Sequence, residues 1–296
     1  MMGGLVVVGV DGSEASLFAV EAAAREARWR GAHLRLVHAF VWPALHAPPG
    51  PSPLGPPEGG VHDMVVRLLD EADRRARTTA PDVDVSGVVM AGEALTVLEA
   101  QSRAAELVVV GSRGLGGFAG LLAGSTAVHL AARGRCPVLV VRRLGQDTGP
   151  VVVGVDGSAA GAGAVDFAFA EAALRGTGIV ALHAWTPWNT PVPASWSADI
   201  PYANEPEALA AREERLLHEA LAGRRETYPG VRVKYEVVRG GAREALIEAS
   251  RTAQLLVVGA RGRGGFAGLL LGSVSQAVLQ HARCPVAVIR GTADGS

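Results

Sequence analysis

The sequence predicts two tandem doubly wound α/β domains, each a five-stranded parallel sheet with helices on both faces, and three observations carry that prediction. The chain repeats itself: residues 6–13, VVVGVDGS, return as residues 151–158 at an offset of 145. Each half alternates short β-branched runs with longer segments of helical periodicity. The runs 5–10 and 107–110 are continuously apolar, the pattern of parallel strands covered on both faces. Strands joined by helices run parallel through right-handed crossovers.

In the first half, residues 5–10 read as a strand, and Ser13 is placed to cap a helix over 14–30 that ends at Gly31. Residues 33–40 form the second strand. Residues 41–60 hold seven prolines without periodicity and read as a loop or lid. Apolar residues at Val61, Val65, Leu68, Leu69 and Ala72 predict a helix over 61–78. Strand, helix and strand follow at 83–90, 94–103 and 107–110. A glycine-rich segment, 111–126, then leads into a helix and a fifth strand at 137–141. The second half follows suit, with its long loop at 186–204 and its second helix over 205–226. His38 and Ala39 match His183 and Ala184 at offset 145, whereas Cys136 matches Cys284 at 148, so the second repeat gains three residues on the way. The join near 143–149 divides the chain into domains 1–146 and 147–296.

Composition excludes several functions. The net charge of −1 leaves no electrostatic footprint for nucleic acid or anionic lipid. Lys234 is the only lysine, so no Walker-type loop exists here. Residues 115–132 are uncharged, but four glycines, Ser125, Thr126 and His129 argue against a membrane helix. The apolar start without a basic leader, together with only two cysteines, predicts a cytoplasmic protein. Neither a nucleophile elbow, a paired metal-ligand motif nor a histidine with a repeated acid appears, so no catalytic residue is assigned.

The chemistry concentrates at the carboxyl ends of strands one and four, where open α/β sheets bind ligands. There the sequence places Asp11 and Gly111, repeated as Asp156 and Gly259. The glycine segment reads Gly-x2-Gly-x9-Gly-Ser, as Gly111, Gly114, Gly124, Ser125 and as Gly259, Gly262, Gly272, Ser273. Strand, glycine loop and helix start together make an anion site of backbone N–H groups. A turn that only packs helix on sheet is the other reading, and the duplication favours a nucleotide. Asp11 and Asp156 are read either as Asx-turns or as acceptors for ribose hydroxyls. Arg113 and Arg261 are read as phosphate partners or as solvated side chains. Arg263 has Leu115 at its counterpart. His38 and His183 read as structural, while the backbones of Ala39 and Ala184 are placed to meet the edge of a base. Cys136 and Cys284 read as buried.

Together, Val-Gly-Val-Asp-Gly-Ser, Leu-x-His-Ala, the glycine motif and the closing Cys-Pro-Val strand resemble the universal stress proteins, in a tandem form like that of actinobacteria. The resemblance implies a strand order of 3-2-1-4-5 and ATP as ligand, with Mg possible through its phosphates and none bound directly. By position it places phosphate and ribose contacts also on Ala127 and Ser275, and base contacts on Val10 and Val155. Thr126 and Val274 complete the two sites and differ between them. The resemblance further implies pairing of the fifth strands within the chain and a homodimer of it. The function so implied is a nucleotide-dependent regulator of stress or dormancy without robust catalysis. The alternatives are a slow ATPase or nucleotidyl transferase using Asp11, Asp156 and Mg, and an interaction module independent of nucleotide.

Overall fold

The structure is a computed structural model, and it describes residues 4–41, 61–114, 123–142, 148–186, 206–263 and 270–291. The two long loops, the middle of each glycine segment and Leu115 lie outside the described residues. Contacts divide the chain into two compact units, Met1–Leu144 and Gly145–Ser296.

Unit 1 runs β1 (Leu5–Gly9), α1 (Glu14–Arg30), β2 (His33–Phe40), α2 (Val61–Thr79), β3 (Val85–Ala91), α3 (Ala94–Gln101), β4 (Leu107–Gly111), α4 (Ser125–Arg133) and β5 (Val138–Val141). Among the described residues its five strands are all parallel, in the order β3-β2-β1-β4-β5. The register sets Val6 opposite both Leu34 and Leu107. Val6, Val7 and Val8 have no exposed surface, because α1 lies over β1 and β4 on one face while α3 and α4 cover the other. Each such valine stabilises the fold by about 1.5–3 kcal/mol relative to exposure. At the edge, β3 alternates between covered and open positions, and Val89 is exposed.

Unit 2 repeats the plan: β6 (Val151–Gly154), α5 (Ala159–Leu174), β7 (Ile179–Trp185), α6 (Pro206–Ala220), α7 (Arg224–Thr227), β8 (Val233–Arg239), α8 (Ala242–Ala249), β9 (Leu255–Gly259), α9 (Ser273–His281) and β10 (Val286–Ile289). Its strands are likewise parallel, in the order β8-β7-β6-β9-β10.

The structure moves two sequence-based boundaries. The expected helix over 205–226 is two helices, because Gly223 sits at φ 78° and heads the short α7. The third strand begins at Val85 rather than Val83, since the Val83 N–H turns back to the Ala80 carbonyl at 3.2 Å and cannot enter the ladder. The three extra residues of the second repeat fall between Trp185 and Leu216 and lengthen the start of the second helix, since the segments 41–60 and 186–205 are equally long. Phe40 corresponds to Trp185 at offset 145, but Leu68 and Leu216 stand over Gly12 and Gly157 at offset 148.

No helix among the described residues is long and apolar enough to cross a membrane.

Candidate functional site

Each unit has a cavity at the carboxyl ends of its strands, about 330 Å³ in unit 1 and about 720 Å³ in unit 2. All ten residues singled out in each half of the sequence line the corresponding cavity. The β1–α1 and β6–α5 turns supply the aspartates. Asp11 Oδ1 accepts the Ser13 N–H at 3.0 Å and the Ser13 hydroxyl at 2.6 Å. Ser13 Oγ in turn accepts the Ser16 N–H at 3.2 Å and caps α1. The relay recurs through Asp156 Oδ1, Ser158 and the Gly161 N–H. One carboxylate serves two contacts: Oδ1 makes the Asx-turn and Oδ2 faces the glycine loop.

That second oxygen explains the second glycine of the motif. A Cβ added to Gly114 would fall well inside contact distance of Asp11 Oδ2, and one on Gly262 would do the same to Asp156 Oδ2. Asp156 Oδ2 also accepts the Arg263 N–H at 2.9 Å. The aspartate thus clamps the glycine loop to the end of the first strand. Gly111 is glycine for packing, since its Cβ would stand 2.8 Å from the Ala15 backbone.

Gly124 and Gly272 differ in kind. Each is the N-cap residue of its helix, at φ −72° and −68°, where any residue is comfortable. A Cβ on Gly124 would meet Ser112 O at 3.5 Å and one on Gly272 would meet Ser275 Oγ at 3.4 Å, both ordinary contacts. Among the described residues, neither backbone geometry nor packing demands glycine there. Each N-cap lines its cavity, and among the described residues no side chain caps α4 or α9, so the N–H groups of the first turn are offered to whatever approaches. Ser275 offers only its backbone, because its buried hydroxyl is held by the carbonyls of Ala260 and Gly272, both at 2.9 Å.

At the other end of each cavity the histidines hold the strand ends. His38 Nδ1 lies 2.8 Å from the Val10 carbonyl and His183 Nδ1 lies 2.7 Å from that of Val155. The Val10 and Val155 N–H groups are bonded to Val37 and Leu182 at 2.9 Å. What the cavity receives from Val10 and Val155 is a fixed carbonyl already engaged by a histidine. Ala39 and Ala184 form small walls facing α3 and α8.

The universal stress protein family model matches residues 4–142 and again 148–290. The chain belongs to the universal stress protein family. Among relatives in that family, a universal stress protein of Mycobacterium tuberculosis strain H37Rv is 38% identical over 299 residues, with 96% of each chain covered. One of Mycobacterium bovis is 38% identical over 306 residues, covering 96% of this chain and 94% of its own. The solved universal stress protein from Archaeoglobus fulgidus DSM 4304 superposes over 98% of this chain and 99% of its own with a TM-score of 0.66 at 17% identity, a likeness of fold.

One pair in this universal stress protein escaped the sequence reading. In unit 2, His183 Nε2 lies 2.8 Å from Glu213 Oε2, both residues are buried, and both line the cavity. Glu213 comes from α6 and matches Val65 at offset 148, so a search for acids shared by both repeats passes over it. The helical phase of α6 carries the signal, since Glu213 falls one turn before Leu216 on the face packed against the sheet. Among the described residues, no group of three or more potential metal-binding side chains occurs.

Proposed function

We propose that both units hold an adenine nucleotide, ATP in the first instance, and that occupancy rather than turnover is the output, making the protein a nucleotide-dependent regulator of stress or dormancy. The observation that carries this reading is the pair of N-cap glycines, Gly124 and Gly272. Among the described residues there is room for a Cβ at both and neither is fixed in a special conformation, and we read the demand for glycine as coming from outside the protein. A phosphate packed against the backbone at a helix start supplies that demand. Ser125 and Ser273 stand at the first helical positions beside it, and Arg113 and Arg261 add charge. Ala39 and Ala184 leave space for a base at the opposite end. When bound, ATP would supply the phosphates through which Mg would be held, and Asp11 and Asp156 line the respective cavities.

Binding without robust turnover is supported by the state of Asp156. A carboxylate has about four acceptor positions. The N–H and hydroxyl of Ser158 and the N–H of Arg263 take three of them, which leaves about one for a water. Calorimetric titration of nucleotide-free protein tests the reading. ATP should bind, and Gly124→Val with Gly272→Val together should abolish binding while the protein stays folded. No heat at about 1 mM ATP refutes it.

The His183–Glu213 pair favours one second reading, slow turnover confined to unit 2. It requires sustained release of phosphate or pyrophosphate that Glu213→Gln abolishes. A background rate unchanged by that substitution rejects it.

A further inference from the structure

The two cavities share their glycine loops but differ in charge and size. We propose that they sort nucleotides by phosphate charge, the second cavity selecting the polyphosphorylated form and the first discriminating little between a mono- and a triphosphate. This rests on the reading of both cavities as nucleotide sites and adds the ligand that each prefers.

Among the described residues, unit 1 brings one cation to its cavity, Arg113, and one carboxylate, Asp11. Among the described residues, unit 2 brings three cations, Arg243, Arg261 and Arg263. Arg261 is the counterpart of Arg113, whereas Arg263 replaces Leu115 and Arg243 replaces Leu95. Residues 115–122 and 264–269, which complete the glycine segments, contain no ionisable side chain, so they do not redress the difference. Two carboxylates oppose the three cations, Asp156 and Glu213, and Glu213 is engaged by His183. The second cavity keeps an excess of positive charge that the first lacks.

Arg263 is placed to act on phosphate. Its backbone is fixed by Asp156 Oδ2 at 2.9 Å. Its guanidinium lies over the β6–α5 turn, with Nη2 2.6 Å from where a Cβ on Gly157 would stand. A guanidinium there meets a phosphate with two parallel donors, which a leucine cannot do.

The second cavity is also the larger, with added lining from β7 and α6. Successive side chains of β7 point to opposite faces, so Leu182 and Ala184 face α8 while His183 reaches Glu213 on α6. Both faces line the cavity in unit 2. In unit 1, β2 contributes only Val37 and Ala39, from one face, to a cavity less than half as large.

The test is calorimetric titration of AMP, ADP and ATP into nucleotide-free Gly124→Val protein, which retains the second site, and Gly272→Val protein, which retains the first. In Gly124→Val, ATP should bind at least about tenfold more tightly than AMP, the scale of one charge-assisted phosphate contact. In Gly272→Val the two should differ by less than about threefold. Adding Arg263→Leu to Gly124→Val should bring its ratio down to that of the first site. Raising salt from about 50 mM to about 500 mM should shrink the ratio, since Arg263 is exposed. Equal ratios at the two sites, or a ratio in Gly124→Val that Arg263→Leu leaves unchanged, would overturn the sorting while leaving both cavities as nucleotide sites. Absence of binding by every nucleotide to the wild-type protein overturns the underlying reading as well. Should either glycine variant not fold, the wild-type isotherms decide. Arg263→Leu in the otherwise wild-type chain should then weaken one of the two ATP affinities by about tenfold and leave both AMP affinities within about threefold, and ATP affinities that it leaves unchanged refute the proposal.

Discussion

Asp156 Oδ2 accepts the backbone N–H of Arg263 at 2.9 Å, tying the end of β6 to a loop 107 residues later. Gly262 lies between the two, and no side chain fits beside that oxygen. The aspartate and the glycine of the motif are therefore one device. The contrast with Gly272 yields the first prediction. Gly262→Ala should displace the loop, cost about 1–3 kcal/mol of stability and weaken nucleotide binding. Gly272→Ala should change stability by less than about 1 kcal/mol, because its Cβ meets only ordinary contacts, and still weaken binding. Urea denaturation beside calorimetric titration separates the two effects.

A buried ion pair gives the second. Arg175 Nε meets Glu171 Oε2 at 2.9 Å, and Arg175 extends to Gln254 Oε1 at 3.3 Å, whose amide donates to the Gly149 carbonyl at 2.6 Å. The pair recurs in unit 1 as Arg30 and Glu26. Glu171→Ala leaves a buried guanidinium without its carboxylate and should cost about 3–5 kcal/mol by urea denaturation. Both acids were legible only as helical residues. Their burial depends on the sheet that lies beneath, which spacing along one helix does not reveal.

Ser112 supplies the third. It is buried, and its hydroxyl has no hydrogen-bond partner among the described residues. Its counterpart in unit 2 is Ala260. Ser112→Ala should leave stability unchanged or raise it by up to about 2 kcal/mol, since an unsatisfied buried hydroxyl costs about that much. A loss of stability on chemical denaturation would contradict this.

The fourth concerns pH. Burial pushes the Cys136 thiol up to about 11 and that of Cys284 up to about 12, from an ordinary value of 9.0. Between the unfolded and folded values the unfolded chain has lost its thiol protons and the folded one has kept them. The thiols' contribution to stability is therefore whole below pH 9 and falls as pH rises from 9 toward 11–12. Cys284→Ala should flatten the fall in urea stability between about pH 8 and pH 10. At neutral pH both free thiols should react slowly with a disulfide reagent in the folded protein.

Much of the fold was legible because the repeat doubled every local signal. The valine runs, the Ser13 and Ser158 caps and the glycine segments recur in register, and the structure sets them into two copies of one sheet order. Less legible were features that only the fold brings together. Gly223 splits the segment expected as one helix, and Arg224–Thr227, the turn that it heads, buries none of its residues. The jobs of the glycines are also invisible in the motif, because Gly262 answers to an aspartate over a hundred residues earlier, whereas Gly272 meets no such constraint. Glu213 belongs to one repeat alone, and its histidine lies on a different element.

The central claim is that each unit holds one nucleotide. Native mass spectrometry of the nucleotide-stripped chain titrated with ATP counts them directly. The account predicts two bound per chain, one with Gly124→Val or Gly272→Val alone, and none with both. A wild-type chain that gains no nucleotide, or a double variant that binds as the wild type does, would contradict it.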